Sequence, residues 1–349
     1  MSRRTRALSL ASGIALVLAV VALLLPVPYV ALGPGETDDT LGADPRAGAV
    51  QVLQVTGAAT YPTSGELRLT TVSVVDPLDL GQALLRWVER PYAVVPRSVV
   101  YPPQKKQSEV DAQNQQDMKV SQDDATVAAL GELTPPKVGA FSDGSKAAPA
   151  LRVGDVITGV DGTEVTNLAA LRALVASLAP GATARVTVRR DGVAQDASVT
   201  TIGVTEGRAT RTILGITPDT SSPVKVTINL SNVGGPSAGL MFALGILDKL
   251  TPGSLTGGRV IAGTGTISPT GDVGLIGGIQ QKLQGARHPG RDGQRPATVF
   301  LVPEQNCQEA VAAHVGGLQL VKVPQTGGLD AAYSDLQRLA RGDTALAAC

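Results

Sequence analysis

The sequence predicts an α+β fold with an apolar N-terminal helix ahead of the folded domains. Segments with apolar residues at every second position indicate strands, and they mix with amphipathic helices without the strict alternation of a doubly wound sheet. The 349 residues are enough for two or three domains with substantial cores. Aromatic residues make up only 3% of the chain, so Val, Leu, Ile and Ala must fill these cores.

Charge and residue counts argue against two classes of function. Lysine plus arginine and aspartate plus glutamate each total 30, so the net charge is zero and the basic footprint of a nucleic-acid-binding protein is absent. The two histidines and the two cysteines, Cys307 and Cys349, are not spaced like zinc ligands. We therefore predict no nucleic-acid partner, no metal site and no cofactor.

Residues 1–33 are predicted to form a cytoplasmic N-terminus and a transmembrane anchor. Three arginines precede an apolar stretch at residues 7–25, about the ~20 residues that a helix needs to cross a bilayer. Because arginines favour the cytoplasmic side, the chain is predicted to be a single-pass protein of the cytoplasmic membrane with its catalytic domain extracellular. There the two cysteines could form a disulfide. A cleaved signal peptide is the alternative, although Pro34 argues against cleavage after residue 33.

Residues 34–134 are predicted to be a linker and an α/β segment that packs against the other domains. Residues 33–48 are rich in Gly, Pro and Asp, which favours a linker. In a predicted strand at residues 66–75, the two-residue alternation slips near Thr70, which predicts a β-bulge or burial of both faces. Ser121 is predicted to cap a short helix that begins there.

Residues 135–203 are predicted to be a compact domain of strands around one amphipathic helix at residues 168–178. The segment Leu151-Arg-Val-Gly-Asp-Val-Ile157, followed by the turn Asp161-Gly162, resembles PDZ domains of bacterial proteases. Such domains bind an extended peptide between a strand and a helix. The resemblance implies a groove between residues 138–141 and the helix, and the alternative is that these apolar residues are only domain core.

Residues 204–349 are predicted to be an α+β domain that carries a catalytic pair. Gly235-Pro-Ser-Ala-Gly239 places Ser237 among small residues before an apolar helix, where its hydroxyl can be presented to a substrate. Lys282 lies in apolar, glycine-rich surroundings, where it can lose its proton. Together the two residues predict a Ser-Lys dyad, an alternative to the Ser-His-Asp triad.

Two other interpretations are open at this stage. The Gly-x-Ser-x-Gly spacing also fits the nucleophile elbow of an α/β-hydrolase. The acid and base would then be Asp272 and His288, or a later acid such as Glu304 and His314. The repeated strand–helix pattern of that fold is missing, however. The other alternative is a non-catalytic adaptor, in which the PDZ-like domain binds peptides and the last domain is only a scaffold.

A longer match favours the lysine. Residues 224–286, and less strictly residues up to 339, resemble the proteolytic domain of Lon. The matching elements are Gly235-Pro-Ser-Ala-Gly239, Thr264-Gly-Thr-Ile267, Gly271 and Ile276-Gly-Gly-Ile279 with Lys282. The order of membrane helix, PDZ domain and Lon-type domain resembles the membrane-anchored, PDZ-containing Lon-like serine peptidases of Gram-positive bacteria.

This resemblance implies a role for each site residue. Ser237 would attack the scissile carbonyl, and Lys282 would take its proton. Thr264 would hydrogen-bond Lys282, while Gly235 and Pro236 would support the turn that presents the serine. Many Lon enzymes have an aspartate where this chain has Gly234, so that carboxylate is missing here.

The predicted function is ATP-independent serine endopeptidase activity, since no Walker motif occurs in the sequence. The predicted partners are unfolded or exported peptides and proteins, which the PDZ domain would bind or admit to the site. By analogy with Lon, a hexameric homo-oligomer is a further expectation.

Overall fold

The structure is a computed structural model that describes residues 3–206, 209–219, 221–231, 233–288 and 294–349. Its helices are α1 Arg3–Leu23, α2 Leu80–Val88, α3 Arg97–Val100, α4 Gln107–Glu132, α5 Leu168–Ala176, α6 Gly239–Leu250, α7 Ile279–Arg287, α8 Cys307–Ala312 and α9 Gly328–Ala340. Its strands are β1 Pro26–Val27, β2 Tyr29–Asp39, β3 Ala43–Asp44, β4 Val50–Gln51, β5 Leu53–Thr56, β6 Glu66–Val75, β7 Leu78–Asp79, β8 Ala93–Pro96, β9 Val138–Phe141, β10 Val156–Val160, β11 Thr163–Glu164, β12 Thr183–Arg190, β13 Val193–Thr200, β14 Ile202–Glu206, β15 Ala209–Ile213, β16 Ile216–Pro218, β17 Lys225–Ile228, β18 Val260–Gly263, β19 Thr266–Ile267, β20 Val273–Gly274, β21 Val299–Pro303 and β22 Gln319–Val323. The mixture confirms the predicted α+β class.

A six-stranded sheet unites the two ends of the chain. Its order is β22-β21-β18-β6-β2-β8. Strands β22, β21, β18 and β6 are parallel to one another, whereas β2 runs antiparallel to both β6 and β8. The parallel strand β21 is buried at all five positions, as expected for a strand covered on both faces. Strands from residues 29–96 and from residues 260–323 therefore share one sheet.

Helix α6 is the centre of the main hydrophobic core. Ten of its twelve residues are buried, because its sequence is apolar on every side. It packs against α4, α9 and the sheet strand β6. Since α6 starts two residues after Ser237, this packing fixes the position of the chain just before the helix.

Helix α4 is longer than the sequence predicts. It is continuous over 26 residues, from Gln107 to Glu132, so the prediction that Ser121 begins a short helix is wrong. Ser121 is in the helix interior and only 3% exposed, on a face with Met118, Ala125 and Ala128. This face packs on α6 from Met118 onward, whereas the polar first half of α4 is largely exposed.

The predicted linker at residues 33–48 is also wrong. Residues up to Asp39 belong to β2, an eleven-residue strand inside the six-stranded sheet. Gly and Pro occur there because β2 is irregular between Pro34 and Thr37. Gly35 approaches β6 so closely that a Cβ would lie 2.2 Å from the Thr71 hydroxyl.

The N-terminal helix does not support the predicted anchor. Helix α1 has 21 residues, but these include Arg3, Arg4 and Arg6, so its uncharged part is shorter than the ~20 residues that a bilayer requires. In the part of the chain that the structure describes, no helix is both long and apolar enough to span a membrane. The predictions of a single-pass anchor, of the cytoplasmic membrane and of an extracellular catalytic domain are therefore contradicted.

The central unit has its own sheet and core. Strands β11-β10-β12-β13 form an antiparallel sheet, and α5 packs on it through Leu171 and Val175. The alternating residues Ala184, Val186 and Val188 of β12 point into this core. Strand β9 lies beside the sheet and pairs with β16, so the unit is completed by residues beyond the predicted boundary at 203.

Candidate active site

Lys282 is a buried lysine on the first turns of α7. Only 3% of its surface is exposed. Its Nζ donates hydrogen bonds to the Ser237 Oγ at 2.9 Å and to the backbone carbonyl of Thr70 at 2.6 Å. Because burial disfavours the charged form, the pKa of Lys282 is lowered from 10.5 to about 7. The lysine can therefore lose its proton near neutral pH, as a general base must.

Ser237 stands on a tight turn that leads into α6. Gly235 has a φ of +84°, a left-handed conformation that glycine adopts without strain. The turn is held from α4, where the Asn114 carbonyl accepts from the Gly235 N–H at 2.8 Å and the Ser121 hydroxyl donates to the Pro236 carbonyl at 2.9 Å. Gly235 and Pro236 therefore shape and anchor the loop that presents the serine hydroxyl to Lys282.

Thr264 is close to the pair but has a different partner from the one predicted. Its hydroxyl donates to the backbone carbonyl of Ser237 at 2.9 Å, rather than bonding to Lys282. The Gly265 N–H donates to the same carbonyl, also at 2.9 Å. Thr264 and Gly265 thus fix the backbone of the serine, while the amine of Lys282 is held by Thr70.

Thr70 is the site residue that the sequence did not reveal. Its carbonyl accepts from Lys282, and its hydroxyl donates to the Gly263 carbonyl at 3.1 Å. The irregular alternation near Thr70 was a signal of this site. The structure places the irregularity in the partner strand β2, where Gly35 and Glu36 together lie opposite one residue of β6.

A cavity of about 460 Å³ opens beside the hydroxyl of Ser237 and the amine of Lys282. Its walls are the irregular segment of β2, residues 70–73 of β6 and the loop at residues 233–238, together with Arg46 and Met118. This volume is in the range of ligand-binding clefts and gives a substrate chain room to approach the hydroxyl.

The other candidate residues lie away from Ser237. His288 and His314 are exposed, and neither side chain hydrogen-bonds to the serine, so the α/β-hydrolase alternative has no base in place. Asp272 is in the turn between β19 and β20, where it pairs with Arg172. Within the described ranges, His, Cys, Asp and Glu form no group that could hold a metal ion.

Strand β9, which would border the predicted peptide groove, is paired along one edge and at its start on the other. On one edge, β16 pairs with β9 and places Thr217 opposite Ala140. On the other edge, the Val138 N–H donates to the Asp155 carbonyl at 2.8 Å. Only Val138, the first residue of β9, is bonded on this second edge, so the groove between residues 138–141 and α5 stays a prediction.

Comparisons with known proteins recognise the central unit. A family described as PDZ domain matches residues 114–201. The PDZ domain of the SdrC-like protein from Listeria monocytogenes is 21% identical, with 24% of this chain and 86% of that chain covered and a TM-score of 0.22. A protein of Geobacillus thermodenitrificans, solved in solution, is 25% identical, with 21% of this chain and 84% of that chain covered and a TM-score of 0.19. No curated protein matches the chain. Residues 114–201 thus contain a PDZ domain, a type of domain that commonly binds peptides.

Proposed function

We propose that this protein is a serine endopeptidase of the Lon-like type, in which Ser237 is the nucleophile and Lys282 the general base. One observation carries the proposal. The amine of a lysine that is 3% exposed lies 2.9 Å from the hydroxyl of a serine on a loop that faces a cavity. A lysine whose only function is structural is seldom buried without a carboxylate, because desolvation of the ammonium is costly.

The geometry supports a two-step acyl transfer. Neutral Lys282 removes the proton from the Ser237 hydroxyl while the Oγ attacks the carbonyl carbon of the substrate. The resulting ammonium then gives its proton to the leaving amine, and water hydrolyses the acyl-enzyme with the same lysine as base. The Thr70 carbonyl accepts one N–H of Lys282 and so directs the lone pair of the neutral amine toward Ser237.

The backbone of the serine loop supplies an oxyanion donor. Among the described residues, the Ser237 N–H has no acceptor, and it lies two residues before the first residue of α6. We assign this N–H to the negative oxygen of the tetrahedral intermediate. Loss of one such donor typically costs about 3 to 4 kcal/mol in catalysis.

The PDZ domain gives the peptidase a second place to hold a polypeptide. A peptide would add to β9 on the edge away from β16, where only Val138 at the start of the strand is bonded. Substrates would be unfolded or exported peptides, since the chain carries no nucleotide-binding motif with which to unfold stable proteins. By its resemblance to Lon, the peptidase would assemble as a homo-oligomer.

The proposal is tested by replacing the nucleophile. Ser237→Ala is expected to lower the rate of cleavage of a 20-residue unstructured peptide by about 10⁴-fold or more. The double variant His288→Ala/His314→Ala is the control and should cleave at the wild-type rate. A wild-type protein that binds the peptide without cleaving it would instead establish the adaptor function.

The pH dependence of cleavage should report Lys282. Because the free enzyme needs a neutral amine and the pKa is about 7, kcat/KM should rise with pH and level off above about pH 8. The measurement uses a peptide without ionisable side chains between pH 5 and pH 9. A kcat/KM that still rises about tenfold per pH unit up to pH 9 would show that the pKa of Lys282 is not lowered from 10.5 in solution.

A further inference from the structure

Arg172 of the PDZ domain contacts the domain that carries Ser237. Arg172 on α5 donates to both carboxylate oxygens of Asp272, at 3.0 Å and 2.9 Å. The same guanidinium donates to the Thr270 carbonyl at 2.8 Å. This fork-shaped, three-bond contact fixes direction as well as distance, because the guanidinium is planar. It joins the PDZ helix to the turn between β19 and β20.

A second contact holds the start of the same helix. The Asn167 side-chain oxygen caps α5 by accepting from the Ala170 N–H at 2.7 Å, while its amide nitrogen donates to Glu132 at 2.9 Å. Glu132 is the last residue of α4, the helix that also holds the Ser237 loop through Ser121. The PDZ helix is therefore attached to two elements that contact the nucleophile loop.

The β19–β20 turn that Arg172 binds is close in sequence to residues that contact Ser237. Strand β19 begins at Thr266, directly after Gly265. The Gly265 N–H donates to the Ser237 carbonyl, and the Gly265 carbonyl accepts from the Leu240 N–H at 3.2 Å. The β19 residue Ile267 packs so closely on the start of α6 that a Cβ on Gly239 would lie 2.6 Å from it. A shift of the β19–β20 turn would therefore move the serine backbone.

We propose that Arg172 is a positioning residue of the peptidase, through which the PDZ domain holds Ser237 in its reactive geometry toward Lys282. The inference rests on the proposed function. It makes the PDZ domain part of the assembled catalytic site in addition to a peptide-binding module. A change in the position of α5, such as a peptide bound beside it would cause, would then alter the reactivity of the serine.

The expected effect is moderate because the turn has other supports. Asp272 also accepts from the Gly327 N–H at 3.0 Å, and the Val273 N–H donates to the Gln325 carbonyl at 2.8 Å. Loss of Arg172 should leave the hairpin folded but less restrained. Small displacements of a reacting group cost up to about 100-fold in rate, so we expect a loss of about tenfold.

A substrate too short to touch both domains separates positioning from substrate delivery. Ser121 and Glu132 of α4 mark the serine loop and the PDZ contact, and they are about 16 Å apart along the helix. A fluorogenic tripeptide amide spans only about 10 Å. Arg172→Ala should therefore lower kcat for this tripeptide about tenfold, whereas Arg189→Ala, an exposed arginine on β12 of the same domain, should not.

Two further variants keep the test decisive. Arg172→Lys retains the charge without the fork and should recover part of the lost kcat at an unchanged Tm. Arg172→Ala combined with Asp272→Asn should be no slower than the slower single variant, because both changes break one contact. Additive losses, or a wild-type kcat on the tripeptide with a raised KM only for the 20-residue peptide, would overturn the positioning role. A wild-type protein that cleaves neither peptide would overturn the proposed function itself.

Discussion

Lys282→Met is expected to abolish peptide cleavage and, at the same time, to raise the free energy of unfolding. Methionine fills most of the volume of the lysine but has no amine to take the proton of Ser237. We expect a fall in kcat of about 10⁴-fold or more, similar to that of Ser237→Ala, because nucleophile and base act as one unit. The double variant should be no slower than either single variant.

The stability gain follows from the burial of the amine. A pKa lowered from 10.5 to about 7 corresponds to a penalty on the order of 4 kcal/mol for burying the ammonium at neutral pH. The variant removes this penalty but leaves the Thr70 carbonyl without its donor, which offsets about 1 to 3 kcal/mol. The net gain should be about 2 kcal/mol, measurable by urea unfolding.

The gain should also depend on pH in a defined direction. Between pH 7 and pH 10.5 the unfolded chain binds a proton at Lys282 that the folded chain does not. The stability of the wild type therefore rises with pH across this window, and Lys282→Met lacks that rise. Lys119→Met, an exposed lysine on α4, is the control and should change neither activity nor stability. Retained cleavage in Lys282→Met would refute the dyad.

The candidate pair could be predicted from sequence because each residue is marked by its immediate neighbours. Small residues around Ser237 and apolar, glycine-rich residues around Lys282 are local features, and the structure joins the two side chains across 45 positions of sequence. The PDZ domain was also predictable, since its turns and its amphipathic helix are local patterns, and the family match confirms it.

The supports of the site were not predictable in the same way, because they depend on long-range contacts of the backbone. The carbonyl of Thr70 is chemically the same as any other, and only the fold brings it within 2.6 Å of Lys282, 212 residues away. Ser121 has the pattern of a helix cap, yet packing on α6 continues the helix through it. The contact of Arg172 with Asp272 likewise joins two partly exposed charges, and the residues next to each in sequence do not indicate that the two meet.

The second large effect concerns the C-terminal segment. Cys307 and Cys349 form a disulfide, which closes a loop with a sequence separation of 42. The bond holds the end of the chain against the edge strand β22, where the Lys322 N–H donates to the Ala347 carbonyl at 2.7 Å. Because β22 is the edge strand at the opposite side of the sheet from β8, the disulfide stabilises that edge.

The double variant Cys307→Ala/Cys349→Ala is expected to lose about 4 kcal/mol of unfolding free energy. In the chain-entropy description, a cross-link of this span removes about that much conformational freedom from the unfolded chain. The loss should appear as a lower urea midpoint, whereas kcat at 25 °C should stay at the wild-type value, because neither cysteine is among the residues that line the cavity beside Ser237. Reduction of the wild type should reproduce the shift and leave the double variant unchanged. If reduction destabilises both proteins equally, or neither, the bond does not stabilise the fold in solution.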